Sequence, residues 1–167
     1  MPKKETDNMQ IWNSVCETNP DITKHVNQRG GFTAICAQHQ LKRATELWGA
    51  YGGQWGLSDI SYTIEQGTII MSATFYAPGI EFPIISDIPF KGNDQFKKVQ
   101  TDIITKSLSR LGFNSDVFEG KFDDNKYVAA MGNKFNLGDV KQEIHALIDN
   151  CDLTPKEINE FLDKNAL

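Results

Sequence analysis

Four cations stand close together in FKKVQTDIITKSLSRLGF, residues 96–113: Lys97, Lys98, Lys106 and Arg110. Thr101, Asp102, Thr105 and Ser109 lie among them. Ammonium and guanidinium groups mixed with hydroxyls are the donors that hold phosphate oxygens. More cations stand upstream. Arg29 precedes two glycines in NQRGG, where the lack of side chains lets a backbone come close to a ligand, and Lys42 and Arg43 are adjacent. Tyr51 and Trp55 are of the type on which bases stack. Ordinary roles compete with these. Lys98, Asp102 and Lys106 are spaced four apart, so Asp102 can pair with either lysine on a helix. Trp48 and Trp55 suit a core.

A second chemistry would come from acids. Asp116, Glu119, Asp123 and Asp124 follow the cationic stretch, with Asp102 within it. Carboxylates that converge hold magnesium for phosphodiester chemistry, although loops also use Asp and Asn simply to turn. Other signals are missing. EGKF contains Gly120-Lys121 but no glycine five positions earlier and no Ser or Thr after it, so there is no Walker phosphate loop. GAYGGQWG lacks the dinucleotide-binding spacing. His25, His39 and His145 stand in separate segments, none at ligand spacing from another His or a Cys. Cys16, Cys36 and Cys151 are odd in number and far apart, which fits neither a disulfide framework nor a zinc site. No cofactor is expected, and a reducing cytoplasm is the simplest setting.

The 167 residues suffice for one ordinary domain with a real core. No apolar run would span a bilayer, and the charged start MPKKETDN has no secretory pattern. The net charge of -5 argues at first against a polyanion partner. It is unevenly placed. Residues 1–113 carry 11 Lys and Arg against 11 Asp and Glu, whereas residues 114–167 carry 6 against 11. The deficit belongs to the tail, so the first two-thirds remain open to nucleic acid.

The elements that must position these groups follow from periodicity. A helical turn is expected around Ile11 to Cys16, stopped before Pro20. Thr33 is expected to cap a helix to about Trp48, because Ala34, Ala37, Leu41, Ala44 and Trp48 recur at helical spacing and Gly49 ends the pattern. The period then becomes two. Ile60, Tyr62 and Ile64, then Ile69, Met71, Ala73 and Phe75, then Ile80, Phe82 and Ile84 alternate between turns at QG and APG. That is a three-stranded antiparallel meander, with Pro83 marking its third strand as an edge or a bulge. In residues 96–113 Phe96, Val99, Ile103, Ile104, Leu108 and Leu111 share one arc, fit to lie on the meander, and Gly112 can close the helix. Residues 113–128 are expected as a loop with one short strand or turn, and MGNKFNLG as a linker. Two short helices should follow, the second capped by Thr154, Pro155 and Glu157. The predicted class is α+β: a β-β-β-α core with an N-terminal helix and a small C-terminal helical hairpin. Its expected parts are an N-terminal segment 1–23, a core 24–130 and an acidic helical segment 137–167. The last is either a separable module or a hairpin packed on the core.

NQRGG, LKRATELWGAYGGQWGLSDI, a β-meander and FKKVQTDIITKSLSRLGFNSDV occur in that order. Over residues 24–128 this order resembles the Rad-fifty-two-like single-strand annealing proteins. The small phage-borne members, of the Sak, Erf and Red-beta type, are the nearest in pattern. The resemblance implies a β-β-β-α core that assembles into rings or filaments and holds single-stranded DNA in a positively charged groove. It places the family's groove arginine on Arg29, and its helical basic positions on Lys97 and Lys106 around Thr101-Asp102. Where eukaryotic relatives carry further basic residues, this chain has Thr105 and Ser109, with Arg110 next door.

The expected function is therefore ATP-independent binding and annealing of single-stranded DNA in phage recombination by a homo-oligomer, without catalysis. The absent ATP motif fits, because base pairing itself releases about 1.4 kcal/mol per step. Lys42, Arg43 and Lys98 join Arg29, Lys97, Lys106 and Arg110 as candidate DNA contacts. A single-stranded-DNA-binding protein or a phage nuclease is an expected partner, and a membrane is not. Two alternatives stand beside this: a metal-dependent nuclease using the acidic loop, and a non-catalytic acidic interaction module.

Overall fold

The computed structural model describes residues 9–27, 31–150 and 157. The period-two segments form strands β3 (Gly56–Glu65), β4 (Thr68–Ala77) and β5 (Ile80–Pro89), paired antiparallel in the order β3-β4-β5. Glu65 pairs with Thr68, so Gln66 and Gly67 alone make the first turn, both with positive φ, the backbone that matches strand twist. Pro78-Gly79 makes the second, with Ala77 opposite Ile80. Ser58 pairs with Thr74 and Ser61 with Ser72, so Asp59 and Ile60 share one place opposite Ala73. This is a bulge, and Asp59 takes the positive φ within it.

One face of the sheet is buried. Ile69, Met71, Ala73, Phe75 and Ala77 of β4 alternate inward, joined by Ile84 of β5. Helix α3 (Gln95–Arg110) lies across β4 and β5 and brings Val99, Ile103, Ile104 and Leu108 onto them, as the arc of apolar residues predicts. Phe96 departs from that arc: it is exposed and meets Tyr62 edge-on at 5.3 Å. Helix α2 (Ala37–Trp48) packs on α3 and sets Trp48 beside Phe113 and Trp55, at 5.7 and 6.0 Å between rings. Trp48 and Trp55 are core, and the Trp55 indole donates to the Gly49 carbonyl at 2.7 Å. Gly112 follows α3 at φ +96, and a Cβ there would lie 2.5 Å from the Trp12 ring of α1 (Gln10–Val15). Only glycine fits.

Three expectations are corrected. Residues around Thr33 are not a helix start. Strands β1 (Thr23–Val26) and β2 (Phe32–Ile35) form a separate two-stranded hairpin, and α2 begins after Cys36. Aromatic and β-branched residues at Phe32, Thr33 and Ile35 pair with Val26, His25 and Thr23, and this pairing outcompetes one more helical turn. Residues 113–128 form a short helix α4 (Ser115–Phe118), a 3-10 turn (Lys121–Asp123) and the start of another helix, with no strand. That helix, α5 (Asn125–Asn150), runs straight through MGNKFNLG, so this segment is not a break between helices. The expected cap at Thr154 and Pro155 falls outside the described residues.

Candidate functional site

A cleft of about 820 Å³ opens between the β1–β2 hairpin, the first half of α3 and the α4 segment. Each wall is fixed for a reason. The hairpin contributes the run Gly31–Ile35. Helix α3 is held against the sheet by its buried stripe, which turns Lys97, Lys98 and Thr101 outward into the cleft. The α4 wall is anchored from below. Asn114 N–H donates to the Val15 carbonyl at 2.9 Å and Asp116 N–H to the Cys16 carbonyl at 3.2 Å. The buried Asp116 carboxylate accepts from Thr18 N–H at 2.8 Å, the Thr18 hydroxyl at 2.5 Å, Tyr127 at 3.0 Å and Val117 N–H at 2.9 Å. Asn114 completes the cluster, donating to the Thr18 hydroxyl oxygen and accepting from Gln40. A fully bonded buried network of this kind is rigid.

Lys97 and Lys98 are exposed, and among the described residues neither joins an ion pair. The start of α3 lies between them and Asp94, so the positive end of the helix dipole adds to their field. The hydroxyls behave differently from the expectation. Thr101 donates to the Lys97 carbonyl at 2.9 Å, Thr105 to that of Asp102 at 3.1 Å and Ser109 to that of Lys106 at 2.9 Å. Their hydrogens are committed to the helix backbone, leaving the ammonium groups as the donors of this face. Asp94, Asp102 and Asp123 also line the cleft. Lys106 holds Asp102 at 2.7 Å, so the described lining is close to neutral rather than strongly cationic.

The other candidates are dispersed. Arg29 lies outside the described residues, two positions before Gly31 of the hairpin wall. Lys106 is spent on Asp102 and on the Ser86 hydroxyl, to which it donates at 2.9 Å. Ser86 also donates to Asp102 and is 2% exposed, so the three clasp α3 onto β5, while the Lys106 side chain stays about half exposed. Arg110 is exposed in the last turn of α3, where a cation suits the negative end of the helix. Lys42 and Arg43 line a second cleft, of about 570 Å³, between α1, α2 and α5. There Arg43 bonds Glu46 and the Ser14 carbonyl, and Lys42 approaches Glu46 at 4.0 Å. Lys97 lines the other cleft.

The acids do not converge. Asp116 is buried and fully bonded, and Glu119 pairs with Lys121 at 2.7 Å, which draws its pKa down. Among the described residues no three His, Cys, Asp or Glu side chains are grouped to hold a metal ion. Of the expected stacking residues, Trp55 is fully buried, and Tyr51 leans edge-on against it at 5.1 Å, away from the cleft. The aromatic side chains of the cleft are Phe32, Phe118 and Phe122, which sequence reasoning passed over. Phe32 could have been found from the alternation of FTAI opposite TKHV. Phe118 stands in a segment with no usable period. No family model matches the chain, and no curated protein matches it. No helix of the described residues is long and apolar enough to cross a membrane.

Proposed function

We propose that this chain is an ATP-independent single-strand annealing protein of phage recombination, with no catalytic step of its own. Single-stranded DNA lies in the cleft between the β1–β2 hairpin and α3, with its phosphates on Lys97 and Lys98. The observation that carries the reading is this pair of unpaired ammonium groups at the start of α3, lining an open cleft together with Gly31 and Phe32 of the hairpin. Helix starts and lysines both attract phosphate. A near-neutral lining gives each protomer only a weak grip. Repetition of the cleft around a ring or along a filament would turn weak sites into a firm one, because linked sites bind at high effective concentration.

An assembly of this kind would use exposed sheet edges. β3 and β5 are both sheet edges. Prolines at 83 and 89 interrupt the donors of β5, whereas β3 leaves Ile60, Tyr62 and Ile64 exposed. Past the bulge, β3 pairs regularly from Ser61 to Glu65, and an exposed edge of this kind with apolar side chains invites a second chain. The test is to mix complementary labelled oligonucleotides with the protein, without ATP, with and without magnesium. Pairing should be faster than without protein in both conditions. No acceleration would overturn the reading, and magnesium-dependent cleavage would replace it with a nuclease.

A further inference from the structure

We infer that Phe118 on the α4 wall and Phe32 on the hairpin wall give the cleft a platform on which DNA bases stack, chemically distinct from the lysine-bearing α3 wall. The inference rests on the proposed function and assigns the base-contacting side of the same cleft. Phe118 is 66% exposed and Phe32 47% exposed, both lining the cleft whose α3 wall carries Lys97 and Lys98. Exposed apolar side chains that share a groove, unlike ones scattered singly, mark a binding surface. Among the described residues neither ring stacks on another aromatic, although Phe122, close by, meets Tyr127 edge-on at 5.9 Å. Each ring therefore keeps a large part of its surface open to the cleft.

The backbone beneath Phe118 is held firmly. Its helix hangs from Asp116, whose four hydrogen bonds reach Thr18, Tyr127 and Val117. A ring presented from an anchored element binds with little ordering cost. The chemistry also suits annealing. Every base has a π face, so stacking is indifferent to sequence. It occupies the face of the base and leaves the Watson–Crick edge open to a complementary strand. Phosphates on lysine and bases on phenylalanine describe a single-stranded polynucleotide, and a duplex has no free base faces to offer.

The test compares two probes of equal length, an oligothymidylate and an abasic oligonucleotide, by fluorescence anisotropy. Phe118→Ala and Phe118→Leu should each weaken oligothymidylate binding about 5- to 150-fold, the range that stacking of one base supplies. Leucine keeps apolar bulk and loses the π face, and Phe118→Trp should bind as well as the native chain. On the abasic probe all three variants should equal the native protein. Wild-type affinity for oligothymidylate in Phe118→Ala would overturn the platform alone. An equal loss on both probes would overturn it too. Failure of the native chain to bind either probe would instead overturn the nucleic-acid reading of the cleft, and the platform with it.

Discussion

Asp116 joins three parts of the chain: Thr18 near the start, 98 positions away, its own short helix, and Tyr127 at the beginning of α5. A buried carboxylate would be costly alone, and four donors compensate it. The arrangement has a consequence for pH. Burial, and then the hydrogen bond to Asp116, raise the Tyr127 phenol above its ordinary value of 10.0. The folded chain therefore keeps a proton that the unfolded chain releases. This contribution to stability is complete below about pH 10 and is lost as pH rises toward the folded value. Tyr51 is also raised, chiefly by burial, so alkaline loss has a second source. Tyr127→Phe removes only the first. At about pH 8 this variant should be less stable by roughly 1–2 kcal/mol, because a donor to a charged group is gone. Between about pH 8 and pH 11 its melting temperature should fall less than that of the native chain. An equal fall in both would show that the Tyr127–Asp116 bond carries no pH dependence.

At the scale of elements, α5 shows what sequence reading misses and why. Gly132 and Gly138 in MGNKFNLG suggested a break, since glycine costs about 1 kcal/mol in a helix. The helix continues through both, and a Cβ at either would meet nothing within 4 Å. Neither glycine is demanded by packing. Gly132→Ala should stabilise α5 by roughly 0.5–1 kcal/mol, seen as slower amide exchange in the residues around it. Unchanged or faster exchange would mean that the helix is already interrupted there. The meander and α3 were legible because their apolar periods, two and 3.6, are long and uninterrupted. The β1–β2 hairpin was not, because Ala34 and Ala37 fit a helical spacing equally well and only pairing across NQRGG decides. The same limit governed the site. Lys97 and Lys98 could be read from a helix face, whereas Phe118 reaches the cleft through a chain of hydrogen bonds to residues about a hundred positions away.

For the whole molecule, the uneven charge takes physical form. The balanced first part supplies the sheet, α3 and the hairpin, the α4 wall of the cleft comes from the acidic part, and the acidic residues further on include those of α5. α5 attaches near its start, through Tyr127 to Asp116 and Lys134 to Glu17, and leaves Leu137, Val140 and Ile144 exposed further along. A near-neutral cleft makes the proposed phosphate grip depend on two lysines, and that dependence can be measured. Single-stranded oligonucleotide affinity should be followed against salt for the native chain and for Lys97→Ala with Lys98→Ala. Each lost phosphate contact should reduce the logarithmic salt slope by about 0.7, alongside a weaker affinity for every sequence. A well-folded double variant that keeps the native affinity and the native slope would contradict the account.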